Sequence, residues 1–254
     1  AKAYYFHNSG WIYRPIWMHL VESKGARIVF YYYSYNCMNF KSIEGERQIN
    51  YGIETMTWTN YLLWDEQHNL WLQRYNKHPK STSITGPVWF SDSEKEQIIE
   101  EDALMIFDIP PFKESISLGF GLDMELHLPS GPIKFLEDIL KISKKYGIKT
   151  YIKSKRLESN PNIDKRYISL LNNYSKSGVI SLVDSRISAD KLISRCKATI
   201  NYPFTSTGII SFSQNKPTIY YDPTNFFHPY AVSSVECIGN EKILEDWIKE
   251  TFNY

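Results

Sequence analysis

Three hydroxyls and a glycine stand together at Thr205, Ser206, Thr207 and Gly208, inside the run Asn201-Tyr202-Pro203-Phe204-Thr205-Ser206-Thr207-Gly208. Ala198 to Tyr202 read as a short buried strand, and Ile209-Ile210-Ser211-Phe212 as the opening of a helix. A strand that turns into a helix presents backbone N–H groups without intrahelical acceptors, at the positive end of the helix dipole, and so suits a phosphate. Ser and Thr are also preferred N-caps, and the same residues fit a helix that is only well capped.

The elements that carry such a junction decide what else can reach it. From Ala103 onward, apolar strands at 103–109, 148–152, 179–183, 198–202 and 218–221 alternate with helices at 130–146, 164–176, 189–196, 207–214 and 241–252. This is the pattern of a doubly wound parallel sheet, whose ligands bind outside the carboxyl ends of the strands. At those ends stand Lys153, Lys155 and Arg156, then Asp184, Ser185 and Arg186, then the Thr/Ser run, then Asp222 with His228. Cations beside a hydroxyl-rich helix start suit a mono- or diphosphate, since the amides position the anion and the cations neutralise it. A solvated loop is the competing reading of Lys153, Lys155 and Arg156.

The first ninety residues also alternate strand and helix. Strands are expected at 4–6, 27–34, 61–64 and 81–85, with helices at 14–23 and 65–75, the second capped by Asp65. Residues 35–60 read as loop with a short element, and 110–129 as a long loop. The acidic, polar stretch 91–102 lacks a full apolar face and serves as a boundary, which gives an amino-terminal domain at 1–92, a linker at 93–102 and a carboxyl-terminal domain at 103–254. Both domains are Rossmann-like α/β layers. The first residue is Ala1 rather than Met, which leaves open that the amino-terminal domain is truncated. Tyr and Trp are abundant, and core packing is the expected use of most of those rings.

The formal net charge of +1 supplies no global field toward nucleic acid or an anionic membrane, so an anion site has to be local. Three widely spaced cysteines fit neither a disulfide framework nor a zinc knuckle, and point to a reducing, cytoplasmic setting. No apolar run approaches the length of a spanning helix, although peripheral contact with the inner membrane is compatible with the sequence. Glycine fingerprints of dinucleotide and P-loop sites, zincin and hydrolase motifs and an Asp-x-Asp pair are missing, so no metal and no resident cofactor is expected.

Pro203-Phe204-Thr205-Ser206 resembles the signature of bacterial polysaccharide-biosynthesis proteins carrying a Pro-Phe-Thr-Ser motif. More broadly, Tyr61 to Trp64, Ile84-Thr85-Gly86-Pro87 and Thr218-Ile219-Tyr220-Tyr221 are similar to parts of glycosyltransferases built from two Rossmann domains, the GT-B kind. That resemblance implies a nucleotide-sugar donor, as co-substrate, against the carboxyl-terminal domain and a glycan or lipid-linked glycan acceptor against the amino-terminal one. Under it, Thr205, Ser206, Thr207, Gly208, Lys153, Lys155 and Arg156 hold the donor phosphate, and Asp184, Ser185, Asp222 and His228 lie toward the nucleotide. Lys153-Ser154-Lys155-Arg156 only partly matches the Lys-x-His-Pro of transferases that use CMP-linked donors, and Ile209 to Gln214 lacks the acidic residue that binds ribose in many GT-B enzymes. Transfer needs a base for the acceptor hydroxyl. His7, Glu54, Asp65, Glu66 and His68 are candidates, with His7 favoured because a loop follows it at a strand end. A non-catalytic nucleotide- or sugar-binding module and a nucleotide-sugar epimerase are the alternative functions.

Overall fold

The computed structural model describes residues 1–8, 13–34, 40–42, 56–76, 79–87, 99–119, 128–153, 160–225, 227–229 and 234–254. They fall into two compact units, one of Ala1–Trp89 with His228–Ser234, the other of Phe90–Phe227 with Val235–Tyr254. The expected boundary near residue 92 carries an uninterrupted second domain; in the structure 228–234 return to the first unit.

The first unit holds β1 (Ala3–Asn8), α1 (Ile16–Ser23), β2 (Arg27–Tyr32), β3 (Phe40–Ser42), β4 (Asn60–Leu63), α2 (Glu66–Tyr75) and β5 (Ser81–Ile84). Its four-stranded sheet runs β1-β2-β4-β5, and every pairing is parallel. The run Ile28 to Tyr32 is buried throughout, as a strand covered on both faces must be. The abundant rings serve the core: Phe30 lies 4.9 Å from Trp58, and Tyr32 lies 4.7 Å from the His68 ring. The first helix starts at Ile16 rather than Arg14, because Pro15 is extended (φ −58°, ψ 144°). Arg14 instead turns inward to Glu22 at 2.5 Å and to the Thr57 carbonyl at 3.1 Å. Much of 35–60 and the boundary stretch 91–98 lie outside the described residues.

Asp65 caps α2 as expected, accepting from the His68 N–H at 2.8 Å. The His68 side chain is fully buried, and burial pushes its imidazole from 6.5 down to about 3. Histidine in the unfolded chain titrates near its ordinary value, so between those two limits the unfolded state binds more protons than the folded one. Stability from this group is complete above about pH 6.5 and is lost as pH falls toward 3, at up to about 1.4 kcal/mol per pH unit. We expect His68→Gln to flatten this part of the profile, read as the difference in denaturation midpoint between pH 7 and pH 5 for the two proteins. Equal slopes in wild type and variant would contradict the assignment.

The second unit holds β6 (Leu104–Phe107), α3 (Glu114–Gly119), α4 (Ser130–Tyr146), β7 (Thr150–Lys153), α5 (Lys165–Lys176), β8 (Ile180–Leu182), α6 (Ala189–Arg195), β9 (Ala198–Asn201), α7 (Ser206–Ser213), β10 (Thr218–Tyr221), β12 (Glu236–Ile238) and α8 (Glu241–Phe252), while β11 (Phe227–Pro229), between β10 and β12 in the chain, falls with the first unit from His228 on. Its sheet runs β12-β10-β9-β6-β7-β8 with all pairings parallel, whereas β11 pairs with β3. Numbered from the first strand of the unit, this order is 3-2-1-4-5-6 read from the β8 end, the doubly wound arrangement expected from the strand–helix alternation. Helix α3 replaces part of the expected 110–129 loop; only six residues long, it shows no helical period in sequence. Right-handed crossovers that run in opposite directions from β6 and β9 put helices on both faces. Tyr202 and Tyr221 meet Phe135 of α4 at 5.2 and 6.0 Å, while Thr199 lies 2.9 Å from Ser211 Oγ of α7.

Candidate functional site: the carboxyl edge of the second sheet

The chain leaves β6 toward β7 and β8, then crosses back to β9 and leaves in the opposite direction toward β10 and β12. The strand order therefore reverses between β6 and β9, and the crevice outside their carboxyl ends is where open α/β sheets bind ligands. The Thr/Ser run emerges from β9 at that point. The Tyr202 N–H donates to the Phe107 carbonyl at 2.8 Å, which fixes the two strand ends side by side.

The turn itself is tightly built. Phe204 has φ +61°, a left-handed conformation uncommon for a bulky residue, and its side chain is buried 5.8 Å from the Tyr220 ring. Thr205 is the N-cap of α7, with no side-chain bond to the first-turn amides. Its hydroxyl donates instead to the Tyr202 carbonyl at 2.9 Å and lies 3.2 Å from Thr207 Oγ1. Thr205, Ser206 and Thr207 are half-buried, and the first turn of α7 keeps its dipole end toward the crevice. Below it, Asn201 donates to Thr218 Oγ1 at 2.9 Å and Ser211 donates to the Thr207 carbonyl at 2.8 Å. These buried polar bonds hold β9, β10 and α7 in one register.

Gly208 has a structural role that the sequence does not show. A Cβ there would stand 2.5 Å from Cε1 and Cζ of Tyr220, and the Tyr220 hydroxyl is held by the Thr205 carbonyl at 2.7 Å. Glycine lets α7 lie directly on that ring, as the close helix–strand approach requires.

The other expected residues are distributed as follows. Lys153 ends β7, two strands from β9 and thus about 10 Å away across the edge. Its ammonium donates to the Ser185 carbonyl at 2.8 Å, tying the β7 and β8 ends together. Lys155 and Arg156 lie outside the described residues. Asp184 pairs with Arg186 at 2.6 Å on the surface, a contact of small energetic value. Asp222 is buried and its Oδ1 accepts from the Thr224 N–H and hydroxyl at 3.0 and 2.6 Å, which closes the turn after β10. The backbone of His228 lies in β11, among the residues that group with the first unit.

Asp108 is the residue that sequence reasoning missed. It follows β6 at the reversal point, is buried, and accepts a hydrogen bond from the Tyr167 hydroxyl. The signal was a carboxylate directly after Leu-Met-Ile-Phe, concealed by extending the strand through Ile109.

A family model described as polysaccharide biosynthesis PFTS motif protein matches residues 1–248. The chain belongs to that family. The residues that give the PFTS family its description are thus the ones that form the turn at the strand-order reversal. No curated protein matches the chain. Among solved structures, it is similar to TarM at 14% identity and a TM-score of 0.48, covering 91% of this chain and 44% of that one. It is also similar to the pneumococcal O-GlcNAc transferase GtfA, solved with UDP and GlcNAc, at 10% identity and a TM-score of 0.47, covering 91% and 45%. WaaG, a glycosyltransferase involved in lipopolysaccharide biosynthesis, matches at 10% identity and 0.48, covering 94% and 72%. The PFTS-family chain therefore spans less than half the length of the first two.

In the first unit, His7 is exposed within β1 rather than after it, with its ring 5.6 Å from that of Tyr33 in an edge-on contact. Asp65 is committed to its cap and His68 to the core, Glu66 accepts from Asn69 at 3.1 Å on the surface, and Glu54 lies outside the described residues. A groove of about 760 Å³ in the second unit is lined by Arg195, Lys197 and Lys216. It lies at the amino ends of β9 and β10, where α6 and α7 end, so its cations face the negative ends of helix dipoles. Its basic side chains complete those helix ends, and its volume does not make it the anion site.

Proposed function

We propose that this chain is a glycosyltransferase that moves a sugar from a CMP- or NDP-linked donor to a glycan or lipid-linked acceptor in surface or capsular polysaccharide assembly, on the cytoplasmic side. The observation supporting it most strongly is the position of Pro203-Phe204-Thr205-Ser206, which turns from β9 into α7 at the reversal between β6 and β9. Negative charge develops on the departing phosphate, and dipoles already aimed at that position stabilise it without reorganisation. In this reading α7 and the hydroxyls of Thr205, Ser206 and Thr207 supply the fixed dipoles, and Lys153, Lys155 and Arg156 the charge. His7 of the first unit serves as the base, and Asp184, Ser185 and Asp222 shape the nucleotide end.

Calorimetric titration with UDP, GDP, CMP and their sugar conjugates tests the donor half. Saturable binding of one nucleotide class is expected, and no binding by any would contradict the reading. The charge in this site comes from side chains and amides, so transfer should persist unchanged in EDTA; loss of activity restored by a divalent cation would overturn the metal-independent mechanism. A non-catalytic nucleotide-binding module is the second reading, favoured by the commitment of Asp65 and His68 to structural roles. It requires nucleotide binding without transfer or hydrolysis; where transfer is seen, a wild-type rate in His7→Ala would remove His7 from the mechanism.

A further inference from the structure

Helix α1 carries an apolar surface that the first unit does not use. Of its eight residues Ile-Trp-Met-His-Leu-Val-Glu-Ser, only Met18 is fully buried. Ile16 is 88% exposed, Leu20 57% and Trp17 47%, and Tyr13 just ahead of the helix is 65% exposed. The Trp17 ring lies 5.6 and 6.1 Å from those of Tyr4 and Phe6 and still leaves nearly half of the residue exposed. A spacing of four residues puts Ile16 and Leu20 on one side of the helix, with Trp17 next to Ile16 and Tyr13 in the segment that leads into it.

Residues 1–34 carry four cations, Lys2, Arg14, Lys24 and Arg27, against one carboxylate. Glu22 is the only carboxylate in residues 1–34, and it is engaged by Arg14 at 2.5 Å and by the Thr59 hydroxyl at 2.7 Å. Lys24 is exposed at the end of α1. Lys2, also exposed, precedes β1 in the alternation that sends Tyr4 and Phe6 toward α1. Aliphatic side chains beside Trp and Tyr, bordered by lysines whose stems can reach past an apolar layer, match the boundary between lipid headgroups and acyl chains. A second copy fits less well: the four side chains expose roughly 500 Å², below the ~800 Å² per partner of a stable interface, and self-association would bring like charges together.

We propose that α1 is a membrane-contact surface that seats the first unit on an anionic lipid bilayer, through Ile16, Leu20, Trp17 and Tyr13, with Lys2 and Lys24 over the headgroups. It is independent of the donor reading, because the nucleotide site belongs to the second unit and fails or survives separately.

The test is co-sedimentation of the full chain with vesicles of phosphatidylcholine alone and of an equal mixture with phosphatidylglycerol. Binding to the mixed vesicles is expected, weakened by added salt. The exposed double variant Ile16→Ser, Leu20→Ser should lower partitioning by about tenfold or more while keeping the thermal midpoint and nucleotide affinity. Lys2→Gln with Lys24→Gln, which leaves the apolar face intact, should lower it by about fivefold per charge on anionic vesicles only. Absence of vesicle binding, binding that survives the Ser variants, or a concentration-dependent dimer that those variants dissolve would each overturn the proposal.

Discussion

Ser206→Asp should weaken donor binding by more than tenfold while leaving the fold as stable as before or slightly more so. Ser206 is the first residue of α7, immediately after the Thr205 N-cap. A carboxylate in the first turn of a helix gains about 0.3–1 kcal/mol from the dipole, so the helix itself tolerates the change. A donor phosphate at the same place meets a like charge: two unit charges 4 Å apart repel by about 4 kcal/mol at an effective dielectric of 20. Even half of that corresponds to a loss of more than tenfold, and the full value to several hundredfold. Ser206→Ala removes one neutral hydrogen-bonding group and should cost only about fivefold. Calorimetry paired with thermal melts separates the two effects. Unchanged affinity in Ser206→Asp would show that the α7 end holds no phosphate.

Gly208→Ala should destabilise the second unit despite placing a better helix former in a helix. The propensity gain is at most about 1 kcal/mol. Against it stands a Cβ at 2.5 Å from the Tyr220 ring, which is buried and held by the Thr205 carbonyl. Overpacking of this kind costs about 1–3 kcal/mol, so the clash prevails. Relief by moving α7 outward would also displace Thr205 to Thr207, so donor affinity should fall along with the melting midpoint. Tyr220→Phe leaves the ring atoms in place and should not rescue Gly208→Ala, whereas the smaller Tyr220→Leu should recover part of the loss in a double-mutant cycle. A Gly208→Ala protein with wild-type stability would mean that α7 does not rest on Tyr220.

The elements with strong local patterns were legible without coordinates. Ile28 to Tyr32 had to be a covered strand, α4 displayed its buried residues at helical spacing, and Asp65 and Gly147 marked a helix start and a helix stop that the structure contains. What could not be read depended on partners distant in sequence. The order of the six strands, which places the PFTS turn at the reversal point, arises from pairing between β6 and β9, where Leu104 meets Ala198. Gly208 looked like part of a phosphate loop because Tyr220, the ring it accommodates, belongs to the next strand. That the Asp222 carboxylate also closes a local turn with Thr224 could not be read from its place at a strand end. Short elements without a period, such as α3, β11 and β12, left no mark in the sequence.

The central claim is that the PFTS turn is where the donor phosphate sits, and backbone amide shifts during titration with the bound nucleotide sugar test it most directly. The account requires the largest changes at Ser206, Thr207 and Gly208, with smaller ones at Asp108 and Lys153 across the same edge. Changes concentrated at Arg195, Lys197 and Lys216, at the opposite end of the sheet, with none at the start of α7, would contradict it.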